Sequence, residues 1–111
     1  MNISNLISTK NNEKAILAII LGLLDGISNN ALTIEECEKI LFAPYISVKL
    51  KQNNFNEEII DVIDQCCELE DIESLIPDKL DENIDSIKKH VLCLLKKSTM
   101  SLDEKTITIC R

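Results

Sequence analysis

His90 and Cys93 stand three residues apart, the offset that sets two metal ligands on one helical face, and the adjacent Cys66 and Cys67 invite completion of a zinc site. A structural zinc site takes four convergent ligands, commonly from Cys-x-x-Cys pairs, and neighbouring cysteines do not readily turn to one ion. Buried apolar cysteine is the simpler account. A nucleophile pair of Cys66 or Cys67 with His90 lacks both an identifiable third orienting group and a glycine loop for an oxyanion hole. Glu57 with Asp61, and Glu70 with Asp71 and Glu73, look like halves of a di-metal carboxylate site. Such sites join inward glutamates to a Glu-x-x-His motif, and the single histidine here is preceded by Lys88 and Lys89. Gly22 and Gly26, the two glycines, fall in or just after the first long helical segment, so no glycine loop cradles a phosphate. The expectation is a protein without catalytic residues, metal or cofactor, whose carboxylates act by charge.

Those carboxylates are concentrated. Between Glu57 and Asp85 twelve acids face one base, Lys79, giving that segment a formal charge of −11; with −7 for the whole chain, the remainder carries +4. A polarised acidic field attracts basic partners. The same field repels phosphates, and an aromatic content of 3% leaves little to stack on bases, which disfavours direct nucleic-acid binding.

The chain of 111 residues, 45% hydrophobic, suits a single domain that can bury one core without a staple. Residues 1–10 and 99–111 are expected to be its less ordered tails. Five cysteines without paired spacing fit reduced thiols in a cytoplasm better than a secreted disulfide framework. The apolar run of residues 15–24 is ten long, against the about 20 needed to span a bilayer. A signal-peptide reading of that run lacks a small-x-small cleavage pattern after Asp25, leaving a central core helix as the preferred reading.

The elements that must position the acids read as helices. Asn11 or Asn12 can cap a first helix running to about Leu24, with Gly26 as its left-handed terminator. Thr33-Ile-Glu-Glu36 is a capping box opening a helix with Ile34, Cys37, Ile40 and Leu41 inward, ended by Pro44. In residues 45–51, Ile46, Val48 and Leu50 alternate with polar residues as in a half-buried strand, yet the helical neighbours favour a short helix. Residues 106–110 form the other strand candidate. Asn56 caps a helix with Ile59, Ile60, Ile63, Cys66 and Cys67 buried, while Glu57, Asp61, Asp64 and Glu68 follow a spacing of four, three and four along its exposed face. A short turn anchored by Ile72 and Leu75 closes at Pro77. A last helix over residues 81–97 buries Ile84, Ile87, Val91, Leu94 and Leu95, with acids first and lysines last as the helix dipole prefers. The dipole does not account for the acids between Asp64 and Glu73, placed by this reading at a helix C-terminus.

Three segments carry a resemblance: Leu21-Gly-Leu-Leu-Asp-Gly26, Thr33-Ile-Glu-Glu-Cys-Glu-Lys-Ile-Leu-Phe-Ala-Pro44, and Glu68-Leu-Glu-Asp-Ile-Glu-Ser-Leu-Ile-Pro77. Over residues 15–97 the chain resembles small, mainly α-helical bacterial proteins similar to toxin-immunity proteins. That resemblance implies a cytoplasmic inhibitor of a toxin, often a nuclease, used in competition between bacteria, with no enzymatic residues to carry over. The expectation is therefore an all-α bundle of four or five helices. Glu57, Asp61, Asp64, Glu68, Glu70, Asp71 and Glu73 would bind a basic protein partner. The rival expectation is a regulatory or scaffold protein, homodimeric and without a toxin partner.

Overall fold

A computed structural model describes residues 3–98. The described residues form helices α1 (Ile3–Leu6), α2 (Glu13–Ser28), α3 (Ile34–Ile40), α4 (Pro44–Gln52), α5 (Glu57–Cys67), α6 (Leu69–Leu75) and α7 (Leu80–Lys97). Short 3-10 turns occupy Lys10–Asn12 and Pro77–Lys79. The fold is all-α, with no strand among the described residues. Its longest members, α2, α4, α5 and α7, make the bundle. The strand candidate at residues 106–110 lies outside the described residues.

The apolar run of residues 15–24 becomes the heart of α2. Ile16, Leu17, Ile20, Leu23, Leu24 and Ile27 are buried, while Ala18, Gly22 and Asp25 keep one edge open. No helix among the described residues is long and apolar enough to cross a membrane. Helix α7 packs along α2 and is also touched by α5 and α6, and α4 packs on α5. One hydrophobic cluster collects Leu17 and Ile20 from α2, Ile46 and Leu50 from α4, Val62 and Ile63 from α5, and Ile84 and Val91 from α7. Lys88 reaches Asp25 at 3.3 Å, pinning α7 to α2 at the surface.

Residues 45–51 are helical, which removes the strand alternative. Ile46 and Leu50, four apart, share the buried face with Ser47, whereas Val48 is turned out and 52% exposed. Pro44 does not end the preceding helix: α3 stops at Ile40, and Pro44 takes the first-turn position of α4, where its missing N–H costs nothing. Gly26 is not a terminator either, because α2 continues to Ser28. Asn30 supplies the left-handed residue at φ 58°, with its N–H bonded to Ile27 O and that of Ala31 to Gly26 O. These two bonds make a Schellman closure. The same closure ends α4, where Asn54 has φ 62° and the Phe55 N–H donates to Leu50 O at 3.0 Å.

The capping box at Thr33 forms as expected, with Thr33 Oγ1 accepting from the Glu36 N–H at 3.0 Å and Glu36 Oε1 accepting from the Thr33 N–H at 2.8 Å. Asn12 precedes α2 without a side-chain cap bond, whereas Asn56 Oδ1 accepts from the Glu58 N–H at 2.8 Å. Two anchors assigned from spacing are not buried: Ile40 is exposed, and Leu75 is 78% exposed because α6 ends there. Leu69, unassigned from spacing, carries the burial of α6 instead. Cys67 and Leu95 lie half-buried at the edge of the core, and Val62 joins the buried face of α5.

Gly26 has a packing role. A Cβ there would come within 2.5 Å of Leu32 Cδ1 and 2.9 Å of Leu32 Cγ, while one at Gly22 would meet nothing within 4 Å. Gly22→Ala is accordingly expected to stabilise the protein by about 0.5–1 kcal/mol through helix propensity. Gly26→Ala is expected to lose about 1 kcal/mol, since overpacking against Leu32 outweighs the same propensity gain. Urea midpoints of the two variants check the pair, and equal shifts would remove the packing role.

Candidate acidic interface

The seven predicted carboxylates are all exposed, but they do not form one undivided face. Glu57, Asp61 and Asp64 project from α5 along one wall of a groove of about 530 Å³. Phe55 and Ile60 contribute apolar floor, and Lys51 and Asn54 contribute polar lining. Glu70 and Glu73 of α6 line a second hollow of about 360 Å³ together with Ile34, Glu35 and Glu38 of α3. Glu68 lies at the α5–α6 junction between these sets.

Glu38, absent from the sequence-based site, is strongly altered by its surroundings. A side-chain hydrogen bond to Glu70, then partial burial, then the charges of Glu70, Glu35 and Asp71 raise its pKa to about 7. Glu38 is thus inclined to keep its proton into the neutral range. The sequence signal was present in the three-residue offset of Glu35 and Glu38, which places both on one side of α3. What could not be read was that α3 packs on α6.

Cys67 shows that the two acidic sets are close. Burial, then the charges of Asp64, Glu38 and Glu68, push its thiol up to about 11. Burial, with Cys67 and Cys37 adding to it, also pushes Cys66 up, and Cys37 rises to about 11 by burial and the charge of Glu36. All three effects favour thiol over thiolate and so oppose nucleophilic use. His90 is half-buried and Cys93 exposed, and among the described residues no three of His, Cys, Asp and Glu are grouped to hold a metal ion.

The ion pairs among the described residues are Glu35–Lys39, Lys79–Glu82 and Asp25–Lys88. None includes any of the seven carboxylates. The break at Glu68 corrects one part of the electrostatic reading: Glu70 and Asp71 fall in the first turn of α6, where the helix dipole favours them. Asp64 and Glu68 remain at the end of α5, opposed by its dipole.

A family model described as "Protein of unknown function (DUF3969)" matches residues 8–109. The chain belongs to the DUF3969 family. The match spans α2 to α7 and therefore every residue of the acidic interface. No curated protein and no solved structure matches this DUF3969 chain.

Because the folded-state pKa of Glu38 lies above its ordinary value of 4.5, its contribution to stability is fully present below about pH 4.5 and is lost as pH rises through about 7. Glu38→Gln keeps a donor toward Glu70 and removes one negative charge. It should therefore stabilise the protein relative to the parent at pH 8, with the difference shrinking toward pH 5. Urea midpoints measured across that range test this, and a difference independent of pH would disprove the raised pKa of Glu38.

Proposed function

We propose that this protein is an immunity protein that binds and neutralises a basic bacterial toxin domain, foremost a nuclease, through the acidic surface of α5, α6 and α3. The observation that carries this reading is acids set beside acids: seven exposed carboxylates without an ion pair to a base among the described residues, with Glu35 and Glu38 sharing the hollow lined by Glu70 and Glu73. Like charges so placed oppose the fold by a few tenths of a kcal/mol per helical pair, a cost that a positive partner offsets. A nuclease must present a basic cleft to phosphates, so an acidic protein can occupy that cleft, and opposite fields also speed encounter. Inhibition of this kind needs no reaction of its own and takes place in the cytoplasm, where the thiols stay reduced.

A second reading, a regulatory or scaffold homodimer, is favoured by Leu75 and Ile76, 78% and 52% exposed at the end of α6 beside the acids. A stable dimer in light scattering that dissociates on Leu75→Ser would support it.

Co-expression with a toxin encoded next to this gene tests the first reading directly, and absence of protection against any such toxin would end it. Replacing Asp64, Glu68 and Asp71 together with lysine is expected to weaken the complex by at least about 100-fold while leaving the helical circular dichroism intact, since rows of opposed charge change sign. Loss of helicity instead would make these carboxylates structural.

A further inference from the structure

We propose that the groove between the α4–α5 turn and α5 is the seat of an arginine side chain from the basic partner. The proposal rests on the reading above that the partner is basic, and it names the group recognised and where.

The groove is built by a turn held at several points. Asn54 closes α4 in the left-handed conformation and sets Phe55 beneath the turn, with the Phe55 N–H on Leu50 O. Asn53 Nδ2 donates to Ile7 O at 2.8 Å, and the Asn56 N–H donates to Glu13 Oε2 at 2.6 Å, so the turn is tied to both the N-terminal segment and the start of α2. Asn56 then caps α5, fixing the helix whose side forms the acidic wall. A groove held in this way needs little ordering when it is filled.

Its chemistry selects a cation with an apolar stem. Glu57, Asp61 and Asp64 outnumber Lys51, leaving a local formal charge of −2, and Lys51 makes no ion pair among the described residues. The floor from Phe55 and Ile60 accepts methylene groups. Carboxylates one helical turn apart suit the planar fork of a guanidinium, which can bond two of them together and gives up its hydration more readily than an ammonium. A lysine stem fits the same floor, but its head is a single strongly hydrated point charge.

The test uses two blocked peptides of alternating glycine with arginine or with lysine, four basic residues each, titrated at low salt against the isotope-labelled full chain. Saturable amide shifts at Phe55 and Ile60 are expected with the arginine peptide and a several-fold weaker response with the lysine peptide. Asp61→Asn with Asp64→Asn should weaken arginine-peptide binding roughly tenfold. Glu70→Gln with Glu73→Gln should change it less than about twofold, as expected of sites that do not share a partner. Unchanged urea midpoints would confirm that each variant folds. Equal binding of the two peptides overturns the choice of arginine. Loss of binding in the Glu70/Glu73 variant but not in the Asp61/Asp64 variant overturns the groove while leaving the acidic-surface reading standing. No saturable binding by either peptide overturns both. Groove shifts that track self-association in sedimentation would seat a second copy of this chain there, and so overturn the proposal.

Discussion

Helix α2 imposes the governing constraint. Six of its sixteen residues are buried aliphatics, each stabilising the fold by about 1.5–3 kcal/mol once removed from water, so the remaining helices must cover it. Helix α7 does this along its length, and α4 and α5 complete the cluster. Two polar ties set the position of that cover: the Asn56 N–H to Glu13 at the start of α2, and Lys88 to Asp25 near its end. With the apolar faces of α5 and α7 turned inward, their acidic faces have nowhere to go but solvent.

The architecture follows from how the ends of helices are closed. A chain with only two glycines closes α2 and α4 with asparagine in the left-handed conformation, and starts α4 with proline. The asparagine closures place Leu32 and Phe55, the first against Gly26 and the second beneath the α4–α5 turn. In both cases the residue after the turn, more than the turn itself, shapes what lies beside it. The groove and the acidic wall are thus products of local backbone chemistry carried outward to the surface.

Much of this was legible in the sequence. The capping box at Thr33, the cap at Asn56, the buried stripes of α5 and α7 and the exposed row Glu57, Asp61, Asp64 and Glu68 all follow from local rules with a fixed period. The short helix favoured for residues 45–51 forms, but the alternation left a strand open because a strand pattern of two and a helical pattern of four both place Ile46 and Leu50 on one face, and only the exposure of Val48 separates them. Gly26 misled because glycine serves both as a terminator and as a gap for a neighbour, and Leu32 supplies the second use. The candidate site was half legible. Its α5 and α6 members lie in one stretch of chain, whereas Glu35 and Glu38 join them only through the packing of α3 on α6, a long-range fact with no local signature.

Glu38 and Glu70, set together in the hollow between α3 and α6, make the acidic surface respond to charge. A carboxyl with a pKa of about 7 is partly protonated at neutral pH, so the surface holds a charge in reserve. A cation brought beside the pair lowers that pKa and expels the proton. Any cation held there would therefore meet a more negative surface, and its binding would be coupled to proton release and strengthen as pH rises through about 7.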